Sequence, residues 1–378
     1  MTPSAQKPTG AIRSLRSEWL LLAFTTLAVL LAVLDPRPVD DYRRWLQWPT
    51  LAGLLGLLVA IQGIRDSGLV QHAAAVWVTR AQTLRGLGML LVGAAAALSM
   101  VLTNDVSLFL IVPLTVAIGA SSNLPVTRVV VLEALAVNAG STLSPIGNPQ
   151  NLLLWQHSQL SFLQFAWNLL PAAAIMLALV VGFTLYWLPK GAVTVAPERM
   201  EAVIISAQLG AWSLLALLTM VLAMEYHQAT WGAALLLTAF LWRARSSLLR
   251  VDWRLLLTFA AIFLGLGHVA ELPGIHAMLA TLDFHQPLLV YASGILTSQL
   301  ISNVPATVLL LNHTPDVVAL AVAVNVGGFG LALGSLANLI ALRLLRDQHG
   351  LRTLHRASIP FLLICAPLVY LVLRWTRG

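Results

Sequence analysis

Long apolar runs recur along the chain, and several approach the ~20 residues that a helix needs to cross a bilayer. Residues 19–34, 165–188, 202–224 and 359–373 are the clearest. In lipid the backbone must satisfy its own hydrogen bonds, so runs of this length form helices. Composition agrees: 58% of the 378 residues are hydrophobic and 10% are charged, against roughly a quarter charged in a soluble domain. The chain reads as an all-α polytopic membrane protein. Its net charge of +7 does not point to nucleic acid, because the Arg residues lie in short loops between apolar runs, as the positive-inside bias places them. The single cysteine, Cys365, excludes an internal disulfide and a thiolate metal cluster.

Basic loops set the expected orientation in a plasma (bacterial inner) membrane. Lys7, Arg13 and Arg16 precede a first apolar run that lacks a small-residue cleavage site, so this run is a retained helix and the N-terminus is cytoplasmic. Segments 65–85, 190–199, 243–254 and 343–356 carry further Lys and Arg and fall on the same side. Segment 35–44 balances Arg37, Arg43 and Arg44 against Asp35, Asp40 and Asp41 and lies outside. Residues 1–44 then form a cytoplasmic segment, a first transmembrane helix and an external loop. Residues 45–188 form a first repeat, 189–252 a linker with two transmembrane helices, and 253–378 a second repeat. Within the repeats, 86–120 and 287–312 enter and return as re-entrant hairpins. Segments 129–156 and 316–342 cross as broken helices, and 65–80 forms an amphipathic surface arm. With 19–34, 46–64, 165–188, 203–222, 229–242, 255–268 and 357–375 crossing, the C-terminus is outside. No Lys or Arg occurs in 255–342, whereas the matching part of the first repeat holds Arg65, Arg80, Arg85 and Arg128. The repeats are therefore inverted.

The repeat itself is visible in two stretches. AVNAGSTLSPIGNPQNL (136–152) aligns without gaps on AVNVGGFGLALGSLANL (323–339), at a separation of 187 residues (325 − 138). Seven of the 17 positions are identical, including Asn138/Asn325, Gly140/Gly327 and Asn151/Asn338. The hairpins share a tip pattern, S-x-x-x-[T/S]-N, from Ser99 to Asn104 and from Ser298 to Asn303. Gly140, Pro145, Gly147 and Pro149 open one helix; Gly327, Gly328, Gly330 and Gly334 open the other. Irregular backbone at membrane depth survives only where it is buried in protein or lines a cavity. Its freed carbonyls suit cations and its half-helix N-termini suit anions, so paired breaks in inverted halves mark the site of a secondary transporter.

These motifs resemble the ion transporter superfamily, which holds the divalent anion–sodium symporters, citrate-transporter-like carriers and arsenite permeases. Thr103-Asn104-Asp105 and Ser302-Asn303-Val304 are similar to the Ser-Asn-Thr hairpin tips of the dicarboxylate carriers. The Asp105 tip, and the N-x-P run Asn303-Val304-Pro305, resemble the arsenite permeases more, and the YbiR-like permeases most. The resemblance implies two coupling-ion sites, one from Ser99, Thr103, Asn104 and Gly140 with Asp105 beside them, the other from Ser298, Ser302, Asn303 and Gly327. It implies a substrate between the tips, near Asn104, Asp105, Asn303 and Val304, with Asn138, Asn148, Asn151, Asn325 and Asn338 at the unwound loops. It also implies a homodimer. Asp105 and Val304 stand where dicarboxylate carriers have Thr, which shifts the expected substrate to a small inorganic or organic anion or a neutral oxyacid. No Arg is expected in the substrate cavity.

Each candidate also has a plainer reading. Asp105 at the tip either carries a proton or ligates Na⁺, since ionisable residues at membrane depth are usually functional, or it caps the returning helix. Asn104 and Asn303 bind, or satisfy turns. Ser99 and Ser298 ligate, or bond back to the preceding turn. Glu133 is a second proton carrier or a packing partner. His268, His276, His285 and His313 lie in external loops without the convergence a metal needs. Trp45, Trp48, Trp155, Trp187 and Trp253 mark span ends as an aromatic belt.

Function follows as transport without a cofactor beyond H⁺ or Na⁺, in contact with lipid and a small solute. An arsenite-type efflux permease and a cation/proton antiporter are the alternatives within that class. An intramembrane enzyme needs a nucleophile–base set or a metal triad, and Asp105 and Glu133 have no His or Cys at useful spacing. No Gly-Lys-Ser phosphate loop is present for ATP hydrolysis. A channel is the third class; paired broken helices favour alternating access over it.

Overall fold

The computed structural model describes residues 19–69, 72, 82–120, 122–194 and 205–377. Lys7, Arg13, Arg16, most of the expected 65–80 arm and residues 195–199 lie outside the described residues. Among the described residues the regular structure is helical. α1 (Trp19–Leu34) and the short α2 (Val39–Trp45) precede α3 (Trp48–Asp66). A first hairpin follows, α4 (Leu84–Leu102) and α5 (Asn104–Ala120), then a helix broken into α6 (Val126–Thr142) and α7 (Pro149–His157), then α8 (Phe162–Trp187). α9 (Ala207–Glu225), α10 (Ala229–Arg243) and α11 (Arg245–Leu249) link to α12 (Trp253–Ala270) and α13 (Pro273–Ala280). A second hairpin, α14 (Pro287–Ile301) and α15 (Asn303–Leu310), is followed by α16 (Val317–Val326), α17 (Leu336–Leu345) and α18 (Gly350–Arg377).

Polar residues before apolar runs start these helices. Thr83, Asn148, Asp252 and Asp316 each accept a backbone N–H three residues on, supplying one of the bonds the first turn lacks. Ser161 and Gln164 form a reciprocal capping box at α8. The final helix starts seven residues earlier than the span expected at 357, so most of the expected 343–356 loop is helical.

Among the described residues, six helices (α3, α4, α8, α9, α12 and α18) are long and apolar enough to cross a membrane. Outer faces keep apolar side chains exposed, among them Leu163, Tyr186, Trp242 and Trp375, as lipid contact requires. Two of the expected belt tryptophans instead turn inward: Trp45 and Trp155 are buried. Trp45 donates to Glu271 at 3.0 Å, and Trp155 donates to the Leu160 carbonyl at 3.0 Å. An indole N–H with a protein acceptor can be buried without cost to its polar end.

The two sets of elements embrace each other. α17 packs on α5 and α6, while α7 packs on α15 and α16. Each half-helix beyond a break therefore lies against the other set's hairpin and broken helix. α3 carries the linker pair α9 and α10, and α12 carries α1.

Candidate functional site

The two hairpins turn at one residue each and in the same way. Thr103 has φ 76° and ψ 152°, and Ser302 has φ 78° and ψ 156°. Side chains with a Cβ rarely adopt this conformation, at a strain of roughly 1–3 kcal/mol, and such strain clusters at functional positions. The next residue is an Asn in both tips. Asn104 Oδ1 accepts from the Asp105 N–H, and Asn303 Oδ1 from the Val304 N–H, each at 2.9 Å. The Asn104 N–H donates to the Gly147 carbonyl at 2.9 Å, tying the first tip to the first break.

Each hairpin touches its break through a glycine. A Cβ at Gly140 would lie 2.3 Å from the Ala96 carbonyl oxygen, and one at Gly327 would lie 2.5 Å from Ser298 Cβ. Only glycine permits either approach. Ser99 donates to the Ala96 carbonyl at 2.8 Å and Ser298 to the Gly294 carbonyl at 2.6 Å, so both hydroxyl protons go to the preceding turn.

The five loop asparagines converge on one buried network. Asn138 donates to Asn338 Oδ1 at 3.1 Å, and its repeat mate Asn325 donates to Asn151 Oδ1 at 2.6 Å. Asn148 donates to Asn325 Oδ1 at 2.9 Å, and its mate Ser335 donates to Asn138 Oδ1 at 3.0 Å. Asn151 holds the carbonyls of Ser141 and Ser144 at 3.2 and 3.1 Å. Asn338 holds those of Gly328 and Leu331 at 2.9 and 3.4 Å. Every one of these contacts has its counterpart after exchange of the repeats. A Cβ at Gly328 would lie 3.4 Å from Asn303 Nδ2 and 3.5 Å from Asn138 Oδ1, so the second tip borders this network.

Asp105 departs from the pattern. It is buried, with 4% of its surface exposed, and its Oδ1 has no hydrogen-bond partner among the described residues. It lines a cavity of about 340 Å³ between α3, α5 and residues 250–255 that includes Gln62, Arg65, Arg250 and Asp252. None of the lining residues belongs to the second hairpin. Two arginines thus border the cavity at Asp105, where none is expected from the sequence. Both sit at segment ends next to basic loops, and folding brings them to the acid. Arg250 pairs with Asp66 at 2.9 Å, joining the end of α3 to the approach to α12.

Glu133 lies elsewhere, fully buried on α6. The Thr115 hydroxyl of α5 donates to its Oε1, and Oε2 has no partner among the described residues. His268 is a helical residue of α12 rather than a loop residue. It is buried and its Nε2 lies 3.1 Å from Asp35 Oδ2, while Arg37 donates to the same carboxylate at 2.6 Å. That carboxyl is held below its ordinary value by the Arg37 hydrogen bond first and the His268 contact second.

The carbonyls of the two breaks are engaged differently. No side chain among the described residues donates to the Gly140 carbonyl, which accepts the Leu143 N–H at 3.1 Å. The Gly327 carbonyl accepts the Gln299 amide at 2.6 Å. Gln299 stands between two residues of the S-x-x-x-[T/S]-N pattern that matter, and its place in an unconstrained x position concealed it. Ser335 was hidden likewise, because it aligns with a different residue type, Asn148.

Comparison with known proteins places this arrangement. The profile of the citrate transporter family matches residues 12–314. The inner membrane protein YbiR of Escherichia coli is 39% identical over 96% of this chain and 97% of its own. An uncharacterized transporter of Methanocaldococcus jannaschii is 29% identical over 86% and 89%. A silicon efflux transporter of Oryza sativa is 28% identical over 46% of this chain and 36% of its own. Among solved structures, the YdaH transporter of Alcanivorax borkumensis superposes with a TM-score of 0.53 at 17% identity, over 95% of this chain and 97% of that one. At that identity the likeness is one of fold.

Proposed function

Because this chain belongs to the citrate transporter family, a family of multi-pass membrane transporters rather than enzymes, we propose that it is a proton-coupled secondary transporter of a small anion or neutral oxyacid. Alternating access is its mechanism, with the two hairpin tips and the two breaks as the moving and fixed parts of one site. The repeats are inverted in the plasma membrane, with the N-terminus cytoplasmic. The reversed Lys/Arg bias and the exchange symmetry of the asparagine network support this reading, since an inverted pair places its two breaks on either side of one site. Two copies associate as a homodimer, as the resemblance to the dicarboxylate branch implies.

One observation carries the coupling: a buried carboxylate oxygen of Asp105 with no partner among the described residues, facing a cavity. A group so placed can change protonation as its exposure changes between the two states. Asn104, Asn303 and Val304 meet the substrate, with Asn138, Asn148, Asn151, Asn325 and Asn338 holding the loops that frame it. Reconstituted protein supplied with labelled candidate oxyacids tests this. An imposed proton gradient drives accumulation in wild type, and Asp105→Asn, which keeps shape but releases no proton, abolishes it. Unchanged accumulation and pH profile in the Asn variant overturns the assignment.

Outward transport of an oxyacid, in the manner of an arsenite-type efflux permease, is the second reading. The Thr103-Asn104-Asp105 tip and the relative named for silicon efflux support it. The gradient polarity that drives accumulation separates the two.

A further inference from the structure

The resemblance implies matching cation sites in the two repeats, and the second set of donors does not fit one. Gln299, on the last turn of α14, reaches across to the second break. Its Nε2 donates to the Gly327 carbonyl at 2.6 Å and to the Phe329 carbonyl at 2.8 Å. Its Oε1 accepts the Leu331 N–H at 2.8 Å. This orientation is fixed by its surroundings, since a rotated amide would set its oxygen against two carbonyls and its NH₂ against an N–H.

Both N–H bonds of the amide are therefore spent on carbonyls that a cation would need. The Ser298 hydroxyl donates to Gly294 at 2.6 Å, and Asn303 Oδ1 accepts the Val304 N–H at 2.9 Å. The hydroxyl and tip-Asn bonds do not set the repeats apart, since Ser99 and Asn104 make corresponding ones; the amide does. A cation arriving here must displace the amide and leave its donors unpaired in a half-buried position, which is unfavourable.

The first repeat differs at this point. At the separation that relates the tips (199 residues, 303 − 104), Gln299 corresponds to Met100. A thioether has no hydrogen to donate, and the Gly140 carbonyl receives only a backbone N–H among the described residues.

We infer that the Gln299 amide permanently takes the place of a coupling cation in the second repeat, so that ion coupling is confined to the first repeat. This deepens the transport reading above and rests on the two breaks being equivalent sites. It explains how a site can keep its S-x-x-x-S-N tip without binding Na⁺. The amide supplies fixed donors to the unwound carbonyls and brings no net charge that must be released on each cycle.

The test reads binding rather than transport, so its failure is separable from failure of the proton-coupling assignment. Purified full-length protein in detergent is melted in NaCl and in matched choline chloride. A site held at about ten times its Kd raises Tm by a few degrees. The expected result is either no Na⁺-specific rise in wild type or one that Ser298→Ala leaves unchanged. Gln299→Ala, which frees the two carbonyls, should lower Tm in choline chloride and recover part of the loss in NaCl. A wild-type Na⁺-specific rise that Ser298→Ala removes overturns the inference. So does a Gln299→Ala protein whose Tm matches wild type in both salts.

Discussion

Asn325 donates its side-chain amide to Asn151 across 2.6 Å, joining two broken helices 174 positions apart in sequence. The same Asn325 accepts from Asn148 at 2.9 Å and donates to the Ala321 carbonyl at 2.7 Å. Its mate Asn138 is bonded in the corresponding way to Asn338 and Ser335. Buried amides that lose a partner are costly, so this paired knot fixes the breaks against each other.

Asn325→Ala leaves Asn151 Oδ1 and Asn148 Nδ2 each short of a partner in a buried site. The expected loss is about 2–3 kcal/mol, from the cost of unpaired buried polar groups. Asn138→Ala should cost a similar amount, because its contacts are the repeat counterparts. The double variant Asn325→Ala/Asn151→Ala should cost less than the sum of its parts, since one contact is removed twice. Thermal melts of these three variants and of Asn151→Ala supply the comparison, and full additivity would show that the amide contact contributes nothing.

How far the sequence reaches is shown by particular residues. The helices and both breaks are legible, because apolar runs, glycines and prolines act locally and the paired motif marks the second copy. Asn138, Asn151, Asn325 and Asn338 were found by identity between the repeats. Ser335 performs the Asn148 role with a hydroxyl instead of an amide, so identity missed it. Arg65, Arg250 and Asp252 reach the Asp105 cavity only through the docking of α3 against the start of α12. Nothing local in the sequence announces that convergence. His268 looks like a loop residue until the Asp35 carboxylate, 233 positions away, accepts from its ring.

Glu133 and Asp105 should separate on substitution. Glu133 is sealed between α5 and α6 with Thr115 as partner and lies outside the residues that line the Asp105 cavity. Glu133→Gln keeps an oxygen for the Thr115 hydroxyl and should leave both fold and the pH profile of uptake near wild type. Glu133→Ala removes that acceptor and opens a void, at an expected cost of about 2–4 kcal/mol. A Glu133→Gln protein that melts like wild type yet loses proton-driven uptake would move the coupling role from Asp105 to Glu133.

The Asp35 carboxylate docks α1 to α12 through His268, and Arg37 holds it in place. Its folded value is depressed below the ordinary 3.8, so the stabilisation is fully present above that value. It is lost as pH falls through the lower, folded value. Asp35→Asn should therefore lower Tm at neutral pH, and the gap to wild type should close in acid below the ordinary carboxylate range. Because the ion pair is only partly buried, added salt should also narrow the gap. A gap that is constant from neutral to acid pH would assign the effect to hydrogen bonding alone.

Orientation is open to direct labelling. Ser246, on α11, and Gln286, just before α14, are both exposed. They fall in segments that the Lys/Arg distribution assigns to opposite sides. Arg243, Arg245 and Arg250 surround the first, whereas the chain from 255 to 342 has no Lys or Arg around the second. The native Cys365 is buried, so a single introduced cysteine dominates the signal from a membrane-impermeant thiol reagent. In intact cells Gln286→Cys should label and Ser246→Cys should label only after the membrane is opened. α12 connects the two positions and is one of the helices long and apolar enough to cross, which gives the expectation a structural basis independent of charge. Labelling of both positions in intact cells, or of neither, would mean that the chain between them does not cross, and the inverted relation of the repeats would fall with it.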